Sequence, residues 1–170
     1  MAAQPTPSQT VGPFFSIGLL EPDRSHLVPP DDVDAIGIYG RILDGDGEPV
    51  PDAMVEIWQA DADGRYVDGF GWGRSGCDAE GRYSFVTVKP GRVPDVGGGL
   101  QAPHLSVLVF ARGLLKPVRT RMYFPDDDSN AEDRVLASLP EDERGRLIAR
   151  PDLRFDIRLQ GPEQTPFFGV

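Results

Sequence analysis

The chain has 170 residues, a length that suits one domain with a real core. Its formal net charge of -10 argues against non-specific DNA or RNA binding. No apolar run approaches the ~20 residues of a membrane helix, and no basic-then-apolar start marks a signal peptide. The lone Cys77 cannot close an intrachain disulfide, so a reducing, cytoplasmic setting is expected.

Residues 1–35 contain Pro7, Gly12, Pro13 and the adjacent Phe14 and Phe15, with no clean period. They read as an extended arm. Its apolar side chains, Ile17, Leu19 and Leu20 among them, ask for a surface to cover them. That surface is either this chain's own sheet or a partner chain. Regular strand signals begin at residue 36 and define a second segment, 36–170.

Ile36, Ile38 and Ile42 lead into a turn at Asp44, Gly45, Asp46 and Gly47. Residues 53–59 form a second strand, with Val55 and Ile57 on one face and Trp58 on the other. Residues 61–64 turn the chain into Arg65 and Tyr66. Residues 67–77 are Gly-rich and read as irregular. A turn at 78–81 precedes a strand over 82–88, and 93–99 read as a loop.

Residues 101–113, QAPHLSVLVFARG, alternate cleanly. Leu105, Val107, Val109 and Ala111 form one face. His104, Ser106, Leu108, Phe110 and Arg112 form the other. At a strand rise of about 3.3 Å, His104 and Arg112 lie roughly 26 Å apart, too far for one site. Residues 118–124 alternate again. Glu141 to Glu143 after Pro140, followed by Arg144, Arg146 and Arg150, suit one short helix. Residues 153–160 form the last strand, and the apolar tail TPFFGV needs cover. About seven short strands between frequent turns, in a chain with Gly 20 and Pro 17, imply an all-β antiparallel β-sandwich.

Candidate chemistry is sparse. His26 and His104 are the only histidines, so a zinc site of His and Cys is disfavoured. His104 is a structural histidine or a ligand. Tyr66 is a phenolate ligand or a packed sheet-edge tyrosine. Arg112 is a solvated strand end or an anion reader. No Ser-His-Asp arrangement, phosphate loop or internal repeat stands out.

The linked segments TPSQTVGPFF, VEIWQADADGRY, GRYSFVTVKPG, APHLSVLVFARG and RFDIRLQG cover nearly the whole chain and resemble the intradiol ring-cleaving dioxygenases. The resemblance implies a β-sandwich, in agreement with the strand pattern. It also implies non-haem Fe(III) held by two tyrosines and two histidines, because phenolate oxygens suit a ferric ion. Tyr66 matches the first tyrosine, but Val93 stands at the second. His104 matches the first histidine, but Ser106 stands at the second. Gln101 stands where the catalytic chain carries an arginine.

The resemblance thus implies a chain that holds no iron and no catalytic residue. Its partner would be a homologous iron-bearing chain in a higher hetero-oligomer, with the Fe(III) on the partner. Thr10, Gly12, Pro13 and Phe14 match a stretch lining the partner's pocket, and Arg112 matches a substrate-associated position. The implied reaction is intradiol cleavage of 3,4-dihydroxybenzoate with O2 to 3-carboxy-cis,cis-muconate. Two alternatives remain: a self-sufficient intradiol enzyme, and a non-enzymatic β-sandwich interaction module, suggested by EGRYSF. No nucleic acid or membrane partner is expected.

Overall fold

A computed structural model describes residues 7–10, 12 and 15–169. Val11, Pro13, Phe14 and Val170 lie outside the described residues. Nine strands are present among those described: β1 (Ala35–Leu43), β2 (Met54–Trp58), β3 (Trp72–Gly76), β4 (Arg82–Val88), β5 (Val93–Pro94), β6 (Leu100–Gln101), β7 (His104–Phe110), β8 (Val118–Tyr123) and β9 (Ile157–Arg158). They form a three-stranded sheet, β4-β1-β9, a four-stranded sheet, β3-β2-β7-β8, and the small hairpin β5-β6. Pairing is antiparallel throughout except for β1 with β9.

Alternation explains the two larger sheets. Ile38, Ile42, Tyr83 and Phe85 of one sheet are buried in a single cluster with Val55, Ile57, Leu105, Val107, Val109 and Met122 of the other. Each of these large side chains contributes about 1.5–3 kcal/mol by leaving water. The cluster is the core of the sandwich, and the sequence pattern marks it correctly. A second cluster lies on the other face of β8: Ala102, Tyr123, Leu136 and Leu147, with Leu139, Ile148 and Phe168 against them.

Three turns use one device. Asp44, Asp61 and Asp78 each accept backbone N–H groups two and four residues ahead on Oδ1. Each turn contains a glycine with positive φ, at Gly47, Gly64 and Gly81. The short aspartate closes the turn and the glycine takes the left-handed backbone.

Several expectations need correction. Residues 72–76 are not irregular: β3 pairs with β2 along its whole length, and Gly73 and Gly76 lie against Leu27 and Leu20. Glycine hid the strand pattern because it offers no side chain to alternate. The 93–99 loop is the hairpin β5-β6. Instead of one helix there are three short ones among the described residues: α1 (Phe15–Leu19), α2 (Arg134–Ala137) and α3 (Glu141–Arg144), plus two 3-10 turns. The last strand is shorter than 153–160. The tail is covered by this chain itself: Phe167 packs on the main core, Phe168 on the second, and Phe168 bridges Arg119. The arm is helical over α1, and Arg24 and His26 bridge Arg74 and Val86.

Gly40 marks the tightest approach between β1 and the segment before β9. A Cβ there would run into the Phe155 carbonyl, which also accepts the Tyr83 hydroxyl at 2.6 Å. Gly40→Ala should therefore destabilise the chain by about 1–3 kcal/mol, as overpacking does. Gly37→Ala, with nothing within 4 Å of the new carbon, should be near neutral. Urea midpoints of the two variants check this; equal midpoints would remove the packing argument.

Candidate functional site

The outer face of the four-stranded sheet carries the polar residues that the core rejects. Register aligns Trp72 with Trp58, Trp58 with Ser106, and Ser106 with Arg121. One row therefore crosses all four strands. The Tyr66 ring stacks on Trp58, with centroids 5.9 Å apart and planes within 4°. Arg121 Nη1 donates to Gln101 Oε1 at 2.7 Å and to the Tyr123 hydroxyl at 3.1 Å. Gln101 pairs with Val93 across the β5-β6 hairpin. Tyr66 thus reaches this row through Trp58, and Gln101, paired with Val93, reaches it through Arg121, while His104 lies opposite Tyr123.

His104 is buried. Its Nδ1 lies 2.8 Å from the Ala102 carbonyl, so that nitrogen carries the proton and donates. Burial, reinforced by the nearby Arg121 charge, pushes its pKa down to about 4. The ring is neutral at pH 7. The Asp133 carboxylate organises the same corner. It accepts from Ala102 N at 2.8 Å, Tyr123 Oη at 3.1 Å, Val135 N at 2.9 Å and Leu136 N at 3.1 Å. It caps α2 and fixes the entry to β7 at once. Neither Asp133 nor Arg121 emerged from the sequence reading. An aspartate just before a short apolar run was the available cap signal, but nothing in the sequence gives the register that sets Arg121 opposite Ser106.

Arg112 lies at the other end of β7, beyond a strand about 20 Å long. It is exposed, and its Nε approaches Asp52 Oδ2 at 3.0 Å. The terminal nitrogens carry no other bond among the described residues. Thr10 Oγ1 accepts from Gly113 N at 2.8 Å, which ties the arm to the residue after Arg112. Gly12 is exposed close by in the chain, and its carbonyl accepts from Phe15 N at 3.1 Å. Thr10, Gly12 and Arg112 therefore gather at one end of the molecule, away from Tyr66 and His104. Asp52 escaped the sequence reading; it sits at φ 57 in the turn before β2.

A protein-family model described as Dioxygenase matches residues 12–166. The chain belongs to the intradiol dioxygenase family. It is 37% identical to the protocatechuate 3,4-dioxygenase alpha chain of Burkholderia cepacia, over 97% of this chain and 97% of that one. It is 37% identical to the beta chain of the same organism's enzyme, over 77% of this chain and 66% of that one. Among solved structures, the dioxygenase domain of a dioxygenase–carbohydrate-binding fusion from Streptomyces sp. SirexAA-E superposes with a TM-score of 0.65 at 26% identity, covering 93% of this chain and 99% of that domain.

Family members are non-haem iron enzymes. The residues here do not fit a ferric ion. Val93 is buried and offers no donor. Ser106 offers a neutral hydroxyl, and the cationic Arg121 stands opposite it. His104 has committed one ring nitrogen to Ala102. Only Tyr66 and His104 keep donor atoms suited to the ion, too few to hold it. Among the described residues no group of three or more His, Cys, Asp or Glu side chains converges on one point.

The neutral His104 makes stability depend on pH. Its folded pKa lies below the unfolded value of about 6.5, so the unfolded chain binds more protons between the two. Its contribution is fully present above pH 6.5 and is lost as pH falls toward about 4. The loss is on the order of 3 kcal/mol. Urea unfolding between pH 7 and pH 5 should show the fall before the carboxylates titrate, and His104→Gln should flatten it. An identical slope in the variant would assign the pH dependence elsewhere.

Proposed function

We propose that this chain is the non-iron-binding subunit of a two-chain protocatechuate 3,4-dioxygenase. The complex opens 3,4-dihydroxybenzoate between its two hydroxylated carbons with O2, giving 3-carboxy-cis,cis-muconate. Both oxygen atoms enter the product, one at each new carboxylate. The observation that carries the reading is the end-to-end likeness to an alpha chain, 37% over 97% of both sequences. The likeness to the beta chain is shorter, which fits a homologous iron-bearing partner in a hetero-oligomer. The Fe(III) belongs to that partner, in keeping with the donor set around Ser106. The lone half-buried Cys77 suits a cytoplasmic complex.

This chain's part is to complete the partner's pocket. Thr10, Gly12, Pro13 and Phe14 line it, and Arg112 reads the substrate carboxylate. The geometry at Arg112 supports that role. Asp52 takes the Nε edge and holds the side chain, leaving the terminal nitrogens to donate to an anion. A guanidinium is suited to this because its donors match a carboxylate in pairs. The bond from Gly113 N to Thr10 keeps the arm beside it. The 1–35 arm is taken to face the partner where it is not already laid on this chain's own sheet through Leu20, Arg24, His26 and Leu27, while 36–170 form the sandwich.

Expressed alone, the chain should hold no stoichiometric iron and show no tyrosinate-to-iron colour. A red-brown, iron-loaded preparation of this chain by itself would favour a self-sufficient enzyme instead. Arg112→Ala should leave the iron content of the reconstituted complex unchanged. A lost hydrogen bond to a charged group is worth about 1.5–3 kcal/mol, or roughly ten- to a hundredfold in kcat/KM. Exposure of Arg112 places the effect near the lower end. The loss should shrink for catechol, which lacks the carboxylate. Steady-state kinetics with both substrates decide it: wild-type efficiency on protocatechuate, with assembly intact, returns Arg112 to a solvated strand end.

A further inference from the structure

A second polar cleft, which does not include Arg112, lies along β7 and β8, where Ser106 pairs with Arg121 and Leu108 with Arg119. Ser106, Arg119, Thr120, Arg121, Val135 and Phe168 line about 230 Å³. That is below the ~300 Å³ typical of drug-sized ligands and suits a single ring. Among the described residues the cleft wall has two guanidinium groups and no carboxylate.

Acidic residues outnumber basic ones, 27 to 17. Arg65, Arg74, Arg82, Arg112, Arg134 and Arg154 all stand against carboxylates. Arg119 and Arg121 form no ion pair among the described residues. Arg121 uses Nη1 on Gln101 and Tyr123 and keeps Nε and Nη2 free there. Arg119 uses Nη2 on the Gly169 carbonyl. The two residues point from one face of β8, because they lie two apart. Like charges so placed repel until an anion joins them.

Val135 and Phe168 give the wall its apolar part. Val135 lies in α2, and Phe168 is held against Arg119 by the tail, where the Phe168 backbone N–H donates to the Arg119 carbonyl at 2.8 Å. Ser106 presents a hydroxyl beside Arg121 across the strand pair. Cation, hydroxyl and apolar wall together describe a planar acid more closely than a bare anion.

We propose that this cleft binds a single-ring aromatic carboxylate, with the carboxylate on Arg121 and Arg119 and the ring against Val135 and Phe168. The site is separate from Arg112 and needs neither iron nor a partner chain. It does not rest on the proposed activity, because the readout is binding by this chain alone.

Calorimetric titration of the full-length chain with benzoate tests it. Benzoate should saturate one site per chain. Arg121→Gln should weaken binding about tenfold or more, and Arg121→Lys less, because a charge-assisted bond exceeds a neutral one. Arg119→Gln leaves the bonds to Gln101 and Tyr123 in place and should weaken binding too, so a misfolded Arg121 variant would not obscure the result. Acetate lacks the ring and phenol lacks the charge; each should bind at least about tenfold more weakly. No saturable binding would overturn the proposal, as would equal binding of acetate. Loss of benzoate binding in Arg112→Ala, with Arg121→Gln and Arg119→Gln unaffected, would place the site at Arg112 and overturn it as well.

Discussion

The buried carboxylate of Asp133 holds the corner around His104 and Arg121 together. Four donors converge on it, from Ala102, Tyr123, Val135 and Leu136. A charge taken out of water costs several kcal/mol unless its lone pairs are met, and here each oxygen is met. The same bonds fix three separate elements. Ala102 aims the chain into β7, Val135 and Leu136 start α2, and the Tyr123 hydroxyl passes the constraint to Arg121. The second hydrophobic cluster closes over them. A four-residue helix such as α2 has little stability of its own, so its place depends on this cap and on Leu136 beneath it.

β7 acts as a rigid spacer between two guanidinium sites. Its inner face is locked by Leu105, Val107 and Val109, so the strand cannot slip by one residue without exposing all three. The outer face is therefore fixed as well. At one end Arg112 is steered by Asp52 and free at its tip. Opposite Ser106, on β8, Arg121 is steered by Gln101 and Tyr123 and, among the described residues, free at its side. Both arginines are held by part of the fork, leaving donors for an anion. The difference lies in the walls. Arg112 stands in the open beside the arm, while Arg121 lines a cleft closed by α2 and the tail.

Much of this was legible in the residues. Alternation gave β1, β2, β4, β7 and β8, because an inward face must be apolar at every second position. The turns at Asp44, Asp61 and Asp78 followed from aspartate and glycine chemistry. The separation of His104 from Arg112 followed from strand rise alone. The failures have physical causes too. β3 was invisible because Gly73 and Gly76 sit where Leu27 and Leu20 fill the space. The tail asked for cover, but which surface covers Phe168 depends on a bridge to Arg119, fifty residues earlier. The Arg121 contacts depend on the pairing of β7 with β8, and a loop separates those strands in sequence. Local pattern carries information about faces; it carries none about which strand lies alongside.

The surroundings of Tyr66, Val93, Gln101 and His104 bear on what holds this corner in place. Where ligands have no partner but the ion, metal binding becomes folding energy and the empty protein is destabilised. Here Tyr66, Gln101 and His104 each have a partner within the chain. Val93 is buried, as its side chain requires. Gln101 accepts from Arg121 and donates to the Pro94 carbonyl at 3.1 Å. His104 donates to Ala102 and stays neutral, so burial imposes no charge on it. Tyr66 rests its ring on Trp58. The corner is satisfied by hydrogen bonds and packing among its own side chains. Its positive charge comes from Arg121, which Gln101 and Tyr123 fix in place, so its pull on an anion is built into the fold.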